Sequence, residues 1–133
     1  MDWASAKPRA APIRLRVFVE EQRVPAEIEL DEWDAQSEHA IAFDSDGRAV
    51  GTGRLLPDGH IGRMAVLAHC RGRGVGRLVL ETLMARAKAR GMATAVLNAQ
   101  MLAVPFYTKS GFTARGPVFM EAGIEHIEMY LAL

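Results

Sequence analysis

The sequence has few of the features that mark secreted, membrane-spanning or nucleic-acid-binding proteins. Its 133 residues include one cysteine, Cys70, so no internal disulfide can form and nothing argues for an oxidising compartment. No apolar run reaches the length of a membrane span, and residues 1–16 lack the apolar core of a signal peptide. Sixteen basic residues balance sixteen acidic ones, which argues against a nucleic-acid surface. We therefore expect a cytoplasmic protein that binds neither membrane nor nucleic acid.

The length and the even composition predict one domain. A chain of 133 residues is long enough to bury a single core of ordinary size. No internal repeat, low-complexity tract or linker divides it. We therefore predict a single domain over residues 1–133.

The first half of the chain predicts a short helix followed by three strands. Pro12 is tolerated in the first turn of a helix over residues 12–18, and Val24-Pro25 ends it. An acidic segment, residues 27–34, leads into the strands, which are separated by turn-forming residues: 39–43, 49–56 and 61–66. Because short turns join these strands, we expect them to be antiparallel.

The second half returns to a helical period and then to strands. Val75, Leu78, Val79 and Leu83 recur at helical spacing, and the helix stops near Gly91. The remaining predicted elements are a strand at 95–97, a helix at 103–109 and strands at 112–118 and 124–133. The strand at 95–97 follows a strand-helix-strand crossover, which should be right-handed and parallel. The expected fold is a mixed α/β sheet.

The loop Arg71-Gly72-Arg73-Gly74-Val75-Gly76 lies between an apolar strand and a helix. Alternating glycines let the backbone approach a ligand, and the free N–H groups of the helix start favour an anion. This pattern predicts a phosphate-binding site, at which Arg71 and Arg73 would neutralise phosphate oxygens. Taken alone, the three glycines suit a tight turn or a dinucleotide-binding fingerprint as well.

The same loop resembles the acyl-CoA pyrophosphate loop of the GNAT superfamily of N-acetyltransferases. Arg71, Gly74 and Gly76 match its pattern of Arg or Gln, two residues, Gly, one residue, and Gly or Ala. Further on, Asn98-Ala99-Gln100 resembles the end of the superfamily's fifth strand. The run from Pro105 to Phe112 is similar to its Phe-Tyr-x-x-x-Gly-Phe signature. These signals stand in the superfamily's order along the chain.

The two ends of the chain are similar to the ElaA-like branch of this superfamily. At one end the similarity covers residues 16–22 with Pro25, Glu29 and residues 31–34, and at the other residues 123–129. The resemblance implies the GNAT fold, a mixed and mostly antiparallel central sheet flanked by helices. Members usually begin with a full strand before the first helix, whereas only Met1-Asp2-Trp3 precedes Ala4 here. The first strand is therefore either truncated or upstream, and the exposed sheet edge would invite a homodimer.

The resemblance also implies acetyl-CoA as co-substrate and names the residues that would hold it. Backbone groups of one strand would bind the pantetheine arm and the thioester, and the loop would bind the pyrophosphate. The implied cofactor-binding set is Met64, Ala65, Val66, Arg71, Gly72, Arg73, Gly74, Val75, Gly76, Asn98, Phe106 and Lys109. Tyr107 would be the general acid for the departing CoA thiolate, against the alternative that it only packs beside Phe106 and Phe112.

The general base is left open by the sequence. Glu20 and Glu21 end the first predicted helix, where the superfamily's acceptor pocket begins, and His126 stands on a late strand. Histidine titrates near neutral pH, although a lone strand histidine more often serves packing. A water chain to solvent would also suffice. The acidic segment at residues 27–34 is either a solvated loop or a wall of the acceptor site that favours a cationic amine.

Two functions of different classes follow from these patterns. The first is an N-acetyltransferase that moves an acetyl group directly from acetyl-CoA to a small primary amine or an exposed amino group. The second is a non-catalytic acyl-CoA-binding or regulatory module, since the cofactor seat alone would serve binding. The histidines have no metal-ligand spacing, so no metal is expected.

Overall fold

A computed structural model describes residues 1–133, with side chains at every position except 28. Six strands form one sheet: β1 (Glu38–Phe43), β2 (Ala49–Leu55), β3 (His60–Val66), β4 (Thr94–Gln100), β5 (Thr113–Glu121) and β6 (Ile124–Ala132). Their order across the sheet is β1-β2-β3-β4-β6-β5. Every neighbouring pair is antiparallel except β3 and β4, which are parallel. The predicted mixed, mostly antiparallel sheet with one parallel crossover is confirmed.

The helices cover both faces of this sheet. They are α1 (Trp3–Arg14), α2 (Ala26–Glu29), α3 (Val75–Ala89) and α4 (Val104–Lys109). On one face, α1 contributes Ala6, Ala10 and Ile13 to the core; on the other, α3 contributes Val79, Leu80 and Leu83. Both faces of β2 are therefore buried, since α1 and α3 both contact this strand.

The first helix differs most from the sequence prediction. It begins at Trp3 rather than at Pro12. Asp2 caps it, because the Asp2 carboxylate accepts a hydrogen bond from the Ser5 N–H at 2.9 Å. Beyond α1 the chain continues as a π-helical segment, Leu15–Glu21. Pro8 and Pro12 both lie inside α1. Because proline removes a backbone donor and usually breaks a helix interior, the sequence pattern did not indicate this length.

The strand bounds also differ from those predicted. β4 extends from Thr94 to Gln100, four residues more than the predicted 95–97, and β5 continues to Glu121 rather than ending at residue 118. Between residue pairs Arg115–Glu128 and Phe119–His126, the intervening part of β5 is longer than that of β6, which makes an irregular bulge. The extra length of both strands comes from pairing with β6, which no local signal reports.

The edge of the sheet beside β1 carries a single backbone pairing with the N-terminus. The Met1 ammonium donates to the His39 carbonyl oxygen at 2.7 Å, and the His39 N–H donates to the Met1 carbonyl oxygen at 2.8 Å. Within the described residues no strand precedes α1. None of the described helices is long and apolar enough to cross a membrane.

The centre of the sheet opens between β3 and β4. These strands pair only at His60–Val96 and Ile61–Leu97, and the described residues contain no pairing between them beyond that point. A bulge in β3 accompanies the opening: three steps along β3 match two along β2, and Arg63 has a φ of 49°. Ala65 and Val66 pair with β2 on one side, and the backbone from Met64 to Val66 faces a gap on the other.

Candidate active site

A cleft of about 1220 Å³ occupies the gap between β3 and β4. Four parts of the chain line it besides these strands: the loop before α3, the side of α4, the end of the π-helical segment and the β5–β6 hairpin. A parallel pair that separates at its carboxyl ends leaves unpaired backbone groups there, which is where open α/β sheets bind ligands.

The glycines of the loop shape its backbone for an anion. Gly72 and Gly74 have φ values of 78° and 82°, a region that glycine adopts without strain. Gly74 caps α3, and the first helical bond is donated by the Leu78 N–H to the Gly74 carbonyl oxygen at 3.0 Å. The preceding N–H groups of α3 therefore have no intrahelical acceptor and remain for a ligand. Gly76 serves packing, because an added Cβ would lie 3.3 Å from the Phe106 ring.

Arg71 ties the loop to two other elements. Its Nε donates to the Val66 carbonyl oxygen at 2.9 Å, and its Nη2 donates to the Glu21 carboxylate at 2.7 Å. The side chain is about half exposed. Arg71 thus holds together the end of β3, the loop and the end of the π-helical segment.

Eleven of the twelve predicted cofactor-binding residues line the cleft: Met64, Ala65, Val66, Arg71, Gly72, Gly74, Val75, Gly76, Asn98, Phe106 and Lys109. The remaining one, Arg73, is exposed and does not line the cleft. Arg77 lines it although the sequence did not single it out, and pairs with Glu81 at 2.8 Å. The structure therefore brings the predicted loop and strand residues together around one space.

Tyr107 lines the cleft from α4 and also packs among aromatic rings. Its ring meets Phe106 and Phe112 edge-to-face, with centroid distances of 5.0 and 6.1 Å. Burial raises the pKa of Tyr107 to about 12. With this pKa the phenol is neutral at physiological pH. Its hydroxyl makes no hydrogen bond to another described residue, so it can donate one to a ligand. Tyr107 therefore packs against these rings and also lines the cleft.

His126 also lines the cleft, from β6. Its Nδ1 lies 2.7 Å from the Ile124 carbonyl oxygen, which requires Nδ1 to carry the proton in the neutral ring. Its Nε2 lies 3.5 Å from the Glu121 carboxylate, and its ring stacks on Phe119 at 5.9 Å. The side chain is 8% exposed, so its orientation is set by neighbours on three sides.

The two glutamates at the end of the first helical region differ in position. Glu20 is exposed, pairs with Arg16 at 3.5 Å and does not line the cleft. Glu21 lines the cleft, but its carboxylate is taken up by Arg71. The structure therefore does not bring Glu20 together with Tyr107 and His126.

Three acids of the segment at residues 27–34 are paired with arginines, whereas Glu27 and Glu32 are exposed. Arg14 donates to the Glu29 carboxylate at 2.8 Å and to Asp34 at 2.7 Å, with all three side chains almost fully buried. Arg54 pairs with Asp31 at 2.6 Å and with Asp34 at 3.0 Å. The prediction of a solvated loop is therefore wrong for these three acids.

The pKa values of these acids follow from the balance of burial and pairing. Burial outweighs the hydrogen bond from Arg14 and raises the pKa of Glu29 above its usual value. For Asp34, burial acts in the same direction, but the hydrogen bonds and charge of Arg14 prevail and lower its pKa. Pairing with the arginines neutralises most of the negative charge of these carboxylates. They therefore add little negative potential to the cleft, although Glu29 lines it.

Two contacts beside His126 had no signal in the sequence. The side-chain amides of Gln22 and Gln100 bond reciprocally, at 2.8 and 3.3 Å, and join the end of the first helical region to β4. Gln100 is paired across the strands with His126. Glu121 reaches His126 from the preceding strand. These contacts arise only when separate elements pack together.

A divided mixed sheet with a glycine-rich loop and a half-buried tyrosine beside the division has the architecture of the N-acetyltransferase fold. The chain belongs to the GNAT acetyltransferase family, because the model of the acetyltransferase (GNAT) domain matches residues 6–133. It is therefore a GNAT-type N-acetyltransferase, a family that uses acetyl-CoA or another acyl-CoA. In the part of the chain that the structure describes, no cluster of three or more His, Cys, Asp or Glu residues could hold a metal ion.

Several relatives agree with this membership. The chain is 41% identical over 121 residues to the uncharacterized N-acetyltransferase YjcF of Bacillus subtilis, covering 88% of this chain and 86% of that protein. A putative N-acetyltransferase from Lactobacillus plantarum has a similar structure, with a TM-score of 0.88, 28% identity and coverage of 97% and 92%. The structure of Escherichia coli ElaA is also similar, with a TM-score of 0.82, 28% identity and coverage of 95% of this chain and 89% of that chain. The predicted superfamily and ElaA-like branch are confirmed.

Proposed function

We propose that residues 1–133 form a single domain that transfers an acetyl group directly from acetyl-CoA to a primary amine. The observation that carries this proposal is that the loop, the unpaired edge of β3, Tyr107 and His126 all line one cleft. Such a transfer needs a bound donor, a hydrogen-bond donor for the thioester oxygen, a proton for the departing thiolate and a route by which the amine loses its protons. The proposal is narrower than the family membership, because it names acetyl-CoA as the donor and a primary amine as the acceptor.

The loop and β3 would hold the donor. Free N–H groups at the start of α3 suit pyrophosphate oxygens, with Arg71 and Arg73 adding positive charge. Backbone groups of Met64, Ala65 and Val66 face the gap and suit the amide groups of a pantetheine arm. A backbone N–H on this edge would stabilise the negative charge that develops on the thioester oxygen.

Tyr107 acts as the general acid in this proposal. Because its pKa is raised to about 12, it stays protonated at any physiological pH. When the carbon–sulfur bond breaks, the electron pair leaves on sulfur, and the Tyr107 hydroxyl donates a hydrogen bond and then its proton. Solvent afterwards returns a proton to the phenolate.

His126 acts as the general base. With Nδ1–H donating to the Ile124 carbonyl oxygen, Nε2 carries the lone pair and can accept a proton from the acceptor's ammonium group. The amine nitrogen then attacks the carbonyl carbon and forms the carbon–nitrogen bond as the carbon–sulfur bond breaks. The second proton of the attacking nitrogen passes to solvent, which leaves the neutral amide. Glu20 stays outside this scheme, because its carboxylate is exposed and paired with Arg16.

Thiol release from acetyl-CoA tests the proposal. The panel contains monoamines, polyamines, amino sugars, aminoglycosides and peptide N-termini, and CoA affinity is measured by calorimetry. We expect Tyr107→Phe to lower kcat by about 10²- to 10⁴-fold while CoA affinity stays unchanged, as for the loss of a general acid. Tyr130→Phe is the matched control, because Tyr130 does not line the cleft and packs under Arg115.

The loop is tested in the same assay. Arg71→Ala and Arg73→Ala should weaken CoA binding, whereas Arg48→Ala, an exposed arginine of the β1–β2 turn, should not. Unchanged affinity in both loop variants would mean that the loop is only a turn. CoA binding without thiol release from any amine would instead favour the non-catalytic binding module.

A further inference from the structure

Glu121 differs from the other carboxylates that line the cleft. Glu21 is paired with Arg71 at 2.7 Å and Glu29 with Arg14 at 2.8 Å, and Asp58 accepts a hydrogen bond from the His60 backbone N–H at 3.0 Å. Within the described residues, Glu121 makes no hydrogen bond and approaches a basic group only at Nε2 of His126, 3.5 Å away. About half of its side chain is exposed. Glu121 therefore presents an accessible carboxylate to a ligand that binds in the cleft beside His126.

The β5–β6 hairpin fixes Glu121 beside His126. Ala122 and Gly123 form its two-residue turn, with φ values of 53° and 77°, as a type I′ turn requires. This turn pairs Glu121 directly with Ile124, so Glu121, Ile124 and His126 share one face of the hairpin. The Ile124 carbonyl oxygen in turn accepts from Nδ1 of His126 and directs Nε2 toward Glu121.

The other charges on the face of the hairpin that carries His126 are already neutralised. Along the same face of β6, the carboxylate of Glu128 bonds to Arg115 at 2.6 Å. From β4 the neighbour is the neutral amide of Gln100, and from the first helical region it is Gln22, with Glu21 taken up by Arg71. Glu121 is thus the local source of negative charge on this face.

We propose that Glu121 binds the ammonium group of the acceptor, so that the enzyme selects primary amines that are cations at neutral pH. This inference rests on the function proposed above and names the acceptor class for the same cleft. One N–H of the ammonium donates to the Glu121 carboxylate and another to Nε2 of His126. The proton passes to Nε2, its bonding electrons stay on the amine nitrogen, and the imidazolium remains paired with Glu121.

Two small amines of different charge test this assignment. n-Butylamine is a cation at neutral pH, whereas O-methylhydroxylamine is a primary amine that is neutral there. Glu121→Gln keeps the size of the side chain and removes its charge. We expect it to raise KM for n-butylamine about tenfold or more, as for the loss of a hydrogen bond to a charged group, and to change KM for O-methylhydroxylamine less than about twofold.

Glu125→Gln is the matched control. Glu125 lies in the same hairpin, is exposed and does not line the cleft, so the same change there should leave both KM values unaltered. An equal rise of KM for both amines, or no rise for n-butylamine, would overturn the role of Glu121. If wild-type protein binds acetyl-CoA but releases thiol with neither probe nor any amine of the panel, the proposed transfer itself fails, and the acceptor class with it.

Discussion

At the scale of single residues, the burial of Tyr107 links stability to chemistry. Its ring contributes to the core between Phe106 and Phe112, while its hydroxyl lines the cleft without a described partner. The same burial that stabilises the fold raises the pKa to about 12 and preserves the proton that an acid must donate. One side chain therefore serves packing and, in our proposal, catalysis.

Tyr107 should make the fold less stable at high pH. In the unfolded chain it ionises near its ordinary pKa of 10.0, whereas in the folded protein it stays neutral up to about 12. Above the lower value the folded state holds more protons, so stability falls as pH rises, by about 1.4 kcal/mol per pH unit. Urea unfolding at about pH 8 and about pH 11 measures this.

The comparison that isolates this residue is wild type against Tyr107→Phe. Lysine and arginine titrations affect both proteins equally, so the wild type should lose about 1.4 kcal/mol more than the variant between these two pH values. Equal losses in the two proteins would show that Tyr107 ionises normally in the folded state.

At the scale of elements, α3 packs closely against β2 because β2 carries a glycine at the contact. A Cβ added at Gly53 would lie 2.8 Å from Leu83 and 2.9 Å from Val79, both on α3. A glycine in β2 thus lets the helix settle directly on the strand. The loop that begins α3 is held in the same way, with Gly76 against Phe106.

Gly53→Ala should therefore destabilise the protein. The added methyl group must displace two buried side chains, and overpacking of this kind costs about 1–3 kcal/mol. Gly62→Ala on β3 is the matched control, since a Cβ there meets no atom within 4 Å. Thermal unfolding of both variants decides the point, and an equal change of Tm would contradict the packing argument.

At the scale of the whole molecule, a buried charge network joins the first helix, the acidic segment and the sheet. Arg14 is 1% exposed and holds Glu29 and Asp34, and Arg54 of β2 holds Asp31 and Asp34. These contacts place the segment after α1 against the same cleft that Glu29 and Arg54 line. Removal of one partner leaves the others buried without compensation.

Arg14→Met should accordingly destabilise the fold strongly. The change keeps most of the apolar stem but leaves two buried carboxylates without their main donor, which costs about 3–5 kcal/mol. Arg86→Met breaks an exposed pair with Glu38 and should cost less than about 1 kcal/mol. Urea unfolding compares the two variants. A loss in Arg14→Met no larger than that in Arg86→Met would show that the network contributes little.

Much of the fold, and the loop and strand residues that line the cleft, could be predicted from the sequence. Turn residues, the hydrophobic period of α3 and the glycine spacing of the loop act within a few residues of one another, so they are visible locally. The bounds of α1, β4 and β5 could not be predicted, because proline and short apolar runs are overridden by packing against distant strands.

The sequence by itself determined most of the order of the elements, the antiparallel strands of the first half, the crossover and the glycine-rich loop before α3. Only the tertiary structure decided that the acidic segment is neutralised by arginines, that Glu20 lies outside the cleft and that Glu121 lies beside His126. The reason is physical: a turn or a helix start depends on neighbouring residues. The charge that a carboxylate presents depends instead on partners from other elements, such as Arg71, which reaches Glu21 across 50 residues of chain.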